Sequence, residues 1–318
     1  MRCDYAPMEG ITNYLCRNAH HRYFGGVDRY FMPFVSPCKD RVFTKRELRD
    51  IVPEHNEGVP VVPQLLTRVP EDFLWAAGEL KAMGYREVNL NLGCPSGTVV
   101  AKGKGSGFLG LPEELERFLD TVFDAAPCAV SIKTRLGLRE PEEFGPLLAL
   151  FQRYPLAELI VHPRVQKDMY KNTPRRAYFA RALADSPFPV CYNGDLYTVP
   201  ALEAFQAEFP AAERIMLGRG LAGDPALARK AEGGPAAGRE ELRAFHDQVY
   251  EGYAGAFGSR RNAMLRMKEL WFYHIHLFRD GEKYGKHLKK ARDPAEFEAW
   301  SAAAYRDLEL LEDLPRVQ

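Results

Sequence analysis

The chain has 318 residues, 46% hydrophobic and 27% charged, with a formal net charge of +0 at pH 7; this is the profile of a globular protein and excludes disordered, collagenous and membrane-spanning classes. Its balanced charge names no polyanionic partner for the chain as a whole. Six cysteines spread without a C-x-x-C pair argue against a zinc site and against a dense disulfide framework, and the start, MRCDYAPMEG, lacks the apolar core of a signal peptide, so the expectation is a cytoplasmic enzyme with no metal and no membrane partner.

In chain order, runs rich in β-branched and aromatic residues recur at DYAPM, VDRYFMPF, VPVVPQLL, EVNLNL, CAVSIKT, AELIVH, FPVCYN and RIMLG, eight candidate strands in all. Between most of them lie helix-like segments such as EDFLWAAGELKAMG, PEELERFLDTVFDAA and PEEFGPLLALFQRY, acidic near their starts and apolar at helical spacing. Strands alternating with helices imply parallel crossovers, and eight such units predict a closed (β/α)8 TIM barrel. After the last strand, EGGPAAGREE clusters Gly, Pro and Ala ahead of a helical tail. The predicted organisation is therefore a barrel over 1–232 and a small all-helical domain over 240–318.

The strand ends carry the polar residues: APME, FVSPC, PQLLT, NLGCP, SIKTR, VHPR, YNGD and LGRG. In a barrel these ends converge on one face, where active sites are built. One such end, read alone, is turn chemistry; eight in register point to a shared site. The cysteine of NLGCP, Cys94, is bracketed by Gly and Pro on a turn, where a thiol contributes little to a core and is presented to a ligand. The last two ends, Asn193-Gly194-Asp195 and Gly218-Arg219-Gly220, have the composition of a phosphate cradle. Neither a G-x-G-x-x-G after the first strand nor a P-loop is present. A phosphorylated ligand at a barrel mouth follows, and a mononucleotide such as flavin mononucleotide (FMN) is a leading candidate.

Taken together, Ala6-Pro7-Met8 with Thr12 and Arg17, Gln64, Asn91-Leu92-Gly93-Cys94-Pro95, Lys133-Thr134-Arg135, His162-Pro163-Arg164, Asn193-Gly194-Asp195 and Gly218-Arg219-Gly220 resemble the tRNA-dihydrouridine synthases, flavin enzymes that reduce particular uridines in transfer RNA. The resemblance runs in unbroken order from residue 5 to about 225, and RMKELWFY resembles a segment of the family's C-terminal helical domain. It implies FMN held by Ala6, Pro7, Met8, Gln64, Asn91, Lys133, His162, Arg164, Asn193, Gly194, Asp195, Gly218 and Arg219. It also implies NADPH or NADH as reductant, Cys94 as proton donor, and a tRNA substrate modified in its D-loop. Protein partners are left unknown, and a monomer is expected.

The chemistry agrees with these residue types. Reduction of a uracil adds hydride to carbon 6 and a proton to carbon 5; no side chain supplies hydride, so a reduced cofactor must. A thiol, with a reference pKa of about 8.5, is mostly protonated at neutral pH and can act as the acid. For docking, residues 259–293 hold ten basic against four acidic side chains, which attract a phosphate backbone. Arg260, Arg261, Arg266 and Lys268, with Arg135 in the barrel, are the expected RNA contacts. The sequence departs from the family in MPFVSP after the second strand and in HPRVQKDMYKN after the seventh. Two alternatives stay open: a small-molecule flavin barrel akin to dihydroorotate dehydrogenase, and an RNA-binding barrel without redox activity.

Overall fold

The computed structural model describes residues 1–315, and the contacts of the chain divide it into two compact units. The first comprises Met1–Pro7, Arg29–Gly194 and Phe209–Met216; the second comprises Met8–Asp28, Asp195–Glu208 and the chain from Leu217 onward.

The strands are β1 (Arg2–Tyr5), β2 (Arg29–Phe31), β3 (Val61–Val62), β4 (Gln64–Leu65), β5 (Glu87–Leu92), β6 (Ala129–Arg135), β7 (Leu159–His162), β8 (Val190–Tyr192) and β9 (Arg214–Leu217). The helices are α1 (Tyr14–Tyr23), α2 (Lys45–Ile51), α3 (Pro70–Ala82), α4 (Gly97–Val100), α5 (Pro112–Ala125), α6 (Phe144–Phe151), α7 (Arg176–Asp185), α8 (Val199–Glu208), α9 (Arg219–Gly223), α10 (Leu227–Ala231), α11 (Arg239–Phe257), α12 (Arg260–His274), α13 (Glu282–Lys290) and α14 (Pro294–Asp307). Among the described residues no helix is long and apolar enough to cross a membrane.

Apart from Leu217, the last residue of β9, all strands lie in the first unit; they run parallel in the order β3-β2-β1-β9-β8-β7-β6-β5-β4. β3 and β4 are halves of one run interrupted at Pro63, whose nitrogen has no hydrogen to donate although its carbonyl accepts from Asn89 N at 2.8 Å. Because β3 pairs with β2 and β4 with β5, this split run joins the two edges and completes a barrel of eight strand positions. The expected (β/α)8 barrel followed by C-terminal helices is the observed architecture.

Inside the barrel, Ala6, Phe31, Val62, Ile160, Cys191 and Met216 pack as one apolar cluster. The strand starts carry ions instead: Asp4 pairs with Arg29 at 2.6 Å and Arg214 at 2.9 Å, and Arg29 also reaches Glu158 at 2.6 Å and Glu87 at 3.3 Å. Burial pushes the Glu158 carboxyl up to about 7 against the opposing pull of Arg29. Asp4, Glu158 and Cys191 have ligand atoms close enough to share a metal, but the guanidiniums of Arg29 and Arg214 already neutralise both carboxylates.

Local signals explain where the helices start and stop. Pro70 and Pro112 occupy first turns with acidic residues behind them, suiting the positive end of the helix dipole. In the second unit, α11 ends at Gly258 with φ 61°, α12 begins where the Ser259 side chain accepts from Asn262 N, and α14 where Asp293 accepts from Glu296 N. The second unit's core gathers Ile11, Cys16 and Phe24 with Leu242, Trp271 and Tyr305. His274 lies in that core, 3.0 Å from the Tyr305 hydroxyl, and burial pushes its ring down to about 3, so it stays neutral.

Candidate active site

The thiol is placed by a turn that the sequence writes within a few residues. The Asn91 side chain accepts from Gly93 N at 3.0 Å and Cys94 N at 2.9 Å, an Asx turn that ends β5. From the other side, the Cys94 carbonyl accepts from Ser106 N at 3.1 Å and from its hydroxyl at 2.8 Å. Cys94 is half-buried. Behind Asn91, its Nδ2 donates to Gln64 Oε1 at 2.7 Å and Gln64 Nε2 donates to Asn89 Oδ1 at 2.8 Å. The Gln64 and Asn91 amides each carry a second N–H.

Register sets Lys133 on β6 directly beside Asn91 on β5. The ammonium is half-buried and has no hydrogen-bond or ion-pair partner among the described residues. Burial, and then the charge of Arg135, push it down to about 8, opposed by Cys191 and Cys94. Further round, at the end of β7, His162 Nε2 lies 3.1 Å from Arg164 Nη1, and Arg164 Nε donates to the Asn172 carbonyl. Both residues are buried.

Arg135, expected as an RNA contact, is only 1% exposed. Its Nε donates to the Gly93 carbonyl at 3.0 Å and its Nη1 to the carbonyls of Val165 and Met169 at 3.1 and 2.8 Å. Its donors are thus spent on the loops, and it carries the half-exposed ring of Tyr170 at 5.2 Å. The sequence reading missed both this clamp and Tyr170. It also missed Asn89 and Ser131, although period-2 alternation in EVNLNL puts Asn89 and Asn91 on one face of β5.

Ala6 packs in the barrel core, and Pro7 follows it half-buried. After β8, Asn193 Nδ2 donates to the Met216 carbonyl at 2.7 Å, tying the ends of β8 and β9. At Gly194 a Cβ would stand 2.2 Å from the Tyr192 hydroxyl, so a side chain there would require the Tyr192 ring to move. In the second unit, Met8 N donates to Thr12 Oγ1 at 2.8 Å, and Arg219, which follows Gly218, pairs with Asp195 at 2.6 Å while lying 5.3 Å over the ring of Tyr197.

The expected helical contacts differ among themselves. Arg260 is paired to Glu251 at 2.7 Å and Glu298 at 2.8 Å, Arg266 to Glu269 at 3.4 Å, and Lys268 donates to the Ala291 carbonyl at 2.5 Å. Arg261 is exposed with no partner among the described residues, as are Lys286 and Lys289 on α13. Phe272 stands 52% exposed on α12, whereas Trp271 and His274 are core.

The first unit's donor set fits an FMN ring: amide N–H groups of Gln64 and Asn91, an ammonium without a partner among the described residues, and an imidazole at neighbouring strand ends. In the second unit, Arg219 is a guanidinium of the kind that binds phosphate, already oriented by Asp195.

A parallel barrel with a cysteine, a lysine and a histidine at its strand ends defines an enzyme whose chemistry sits at the C-terminal face of the sheet. Solved structures of similar fold include a morphinone reductase (TM-score 0.53, 14% identity, covering 75% of this chain and 87% of that one) and a histamine dehydrogenase from Rhizobium sp. 4-9 (TM-score 0.55, 10% identity, covering 77% and 46%). At such identities they speak for the barrel alone. A family model described as dihydrouridine synthase (Dus) matches residues 4–303. Among curated relatives, a tRNA-dihydrouridine(16) synthase of Cupriavidus necator is 32% identical over 240 residues (73% of this chain, 74% of that protein), and one of Pseudomonas putida is 31% identical over 235 residues (71% and 72%). The chain belongs to the dihydrouridine synthase family. It is accordingly a flavin-dependent oxidoreductase.

Proposed function

We propose that this enzyme reduces uridine 16, in the D-loop of transfer RNA, to 5,6-dihydrouridine, with NADPH as the source of electrons. The observation that carries the chemistry is the Cys94 turn, held by Asn91 and standing beside Lys133 on the adjacent strand. The position is taken from the relatives, both named for uridine 16.

FMN, when bound and reduced, supplies hydride to carbon 6 of the uracil. Gln64, Asn91, Lys133, His162 and Arg164 hold the ring, and Ala6 to Met8, Asn193 to Asp195, Gly218 and Arg219 complete its binding. The Cys94 thiol gives its proton to carbon 5, and the Lys133 ammonium stabilises the negative charge left on sulfur until solvent restores the proton. Uridine in folded RNA must leave its stack to meet these groups. The helical residues 240–318 dock the RNA backbone, with Arg261, Lys286 and Lys289 supplying unpaired positive charge.

The test is to incubate the FMN-loaded protein and NADPH with tRNA lacking dihydrouridine and to map the product by position. Dihydrouridine at position 16 is expected. Product elsewhere in the D-loop would overturn the position alone, and bound flavin without any modified uridine would overturn the RNA substrate in favour of a small molecule. Cys94→Ala should retain FMN and its reduction while losing most turnover on tRNA.

A further inference from the structure

A buried amide has two orientations related by a half turn, so a chain of amides has a defined direction only if an end of it is fixed. In this barrel both ends are fixed. Glu87 opens β5 with a carboxylate, which when ionised can only accept, and it accepts from Ser131 Oγ at 2.5 Å. With its one hydrogen committed, the Ser131 oxygen accepts from Asn89 Nδ2 at 2.9 Å. Asn89 Oδ1 then accepts from Gln64 Nε2 at 2.8 Å, and Gln64 Oε1 accepts from Asn91 Nδ2 at 2.7 Å. Asn91 therefore presents oxygen to the N–H groups of Gly93 and Cys94, which are donors only. The polarity required at the turn is the polarity that Glu87 imposes from the opposite end of the strand. Ser131, Asn89 and Gln64 are 0% exposed, so solvent cannot substitute for a missing member.

We propose that Ser131 and Asn89, directed by Glu87, are positioning residues for the reaction: through Gln64 and Asn91 they hold the Cys94 turn in the geometry from which the thiol delivers its proton. The proposal rests on the reading of Cys94 as proton donor. Without the Ser131 hydroxyl, the buried Asn89 amide loses its acceptor, and the direction of the chain is held from the Cys94 end alone. A reversal reaching Asn91 would set nitrogen against two N–H groups and open the turn. Neither Ser131 nor Asn89 is assigned to cofactor or substrate, so both act only through other residues.

The experiment uses FMN-loaded enzyme carrying Ser131→Ala, Ser131→Thr, Cys94→Ala or Cys94→Ala with Ser131→Ala. Each is reduced without oxygen and mixed with tRNA, and flavin reoxidation is followed. Misplacing a reacting group by an ångström costs on the order of 100-fold, so Ser131→Ala is expected to lower the limiting rate by about tenfold or more, with the tRNA concentration for half-maximal rate little changed. Ser131→Thr, which keeps a hydroxyl, should recover most of the rate. In the absence of the thiol the ladder has nothing to aim, so the double variant should be no slower than Cys94→Ala alone.

A second readout does not involve turnover: the rate at which iodoacetamide modifies Cys94, followed by mass spectrometry with the exposed Cys38 as internal standard. Ser131→Ala should change the Cys94 rate and leave Cys38 as it is. Wild-type reoxidation together with unchanged Cys94 modification in Ser131→Ala overturns the proposal, as does a double variant slower than Cys94→Ala. Equal damage in Ser131→Ala and Ser131→Thr, with altered Cys38 modification, overturns positioning in favour of general support of the fold. Full activity of Cys94→Ala would instead remove the proton-donor reading on which the proposal rests.

Discussion

Arg135 Nε donates to the carbonyl of Gly93 at 3.0 Å, and Gly93 immediately precedes Cys94. The same guanidinium holds the carbonyls of Val165 and Met169, so one side chain on β6 joins the loop after β5 to the loop after β7. The second loop needs the help: Met169 has φ 51°, a left-handed conformation that costs a residue with a Cβ of order 1 kcal/mol or more. Lysine cannot reproduce a planar fork reaching three carbonyls. Arg135→Lys is therefore expected to keep FMN and lose about 10- to 100-fold in kcat on tRNA, the cost of loosening a reacting group. Steady-state kinetics with flavin content measured alongside checks this; an unchanged kcat would mean that the clamp does not hold the thiol in place.

Gly105 closes the other side of the same turn. Its φ is +57°, and a Cβ there would lie 2.9 Å from the Cys94 carbonyl oxygen and 3.0 Å from Cys94 Cβ. Gly105→Ala combines backbone strain with displacement of the turn, and strain of this kind costs on the order of 1–3 kcal/mol. The expected result is a lower Tm together with a lower rate of tRNA reduction. Gly233→Ala also has positive φ but nothing within 4 Å of its Cβ, so it should lower Tm by strain alone and leave turnover intact.

These two loops show why parts of the site were legible in the sequence and parts were not. The Cys94 turn could be read because the Asx turn itself lies within five residues, from Asn91 to Pro95, whereas Gly105, Ser106 and Arg135, which brace it, lie far along the chain. The strand-end positions of Lys133 and His162 could be read because each closes an apolar run. The clamp made by Arg135 was not legible because its partners are backbone carbonyls up to 34 residues away, and carbonyls leave no mark on side-chain identity. The same holds on α12, where Arg260 and Arg261 are adjacent and alike in sequence, and only the fold shows that Glu251 and Glu298 engage one of them. The split of one barrel strand at Pro63 is local proline chemistry, yet its two halves were read as one run.

Lys133 gives a prediction about pH. Its ammonium is pushed down to about 8 from an ordinary value of 10.5. FMN is an anion, so its affinity for the protein should weaken as pH rises through about 8, and Lys133→Met should abolish that step. The sign for stability is the reverse. Below about 8 the amine is charged in both folded and unfolded chains, and the full cost of holding it half-buried is present. Between about 8 and 10.5 the unfolded chain binds more protons, so folding stability from this group rises with pH. Lys133→Met should therefore exceed the wild-type apoprotein in stability most at pH 7 and least above pH 10. Urea unfolding at the two pH values, beside FMN fluorescence titrations, measures both, and a stability difference that grows with pH would contradict the burial assigned to this amine.

Arg260 and Arg261 supply the sharpest test of the RNA surface, because they differ in little but their partners. Arg260 lies between Glu251 and Glu298 with half of its side chain exposed, and exposed pairs of this kind contribute little to stability. Its charge is compensated within the protein, so Arg260→Gln should cost a little stability and scarcely alter the affinity for tRNA. Arg261 is exposed and has no partner among the described residues, which leaves its charge available to a phosphate. Removing one cation that neutralises a phosphate lowers the slope of log K against log salt by about 0.9 on duplex nucleic acid and by about 0.7 on single strands. Arg261→Gln should weaken tRNA binding and reduce that slope by an amount of this size, as should Lys286→Gln and Lys289→Gln on α13. Titrations of labelled tRNA at several salt concentrations separate the cases. Equal slopes for wild type and Arg261→Gln would move the docking surface off α12, and a loss of slope in Arg260→Gln matching that in Arg261→Gln would show that its two carboxylates release it when RNA arrives.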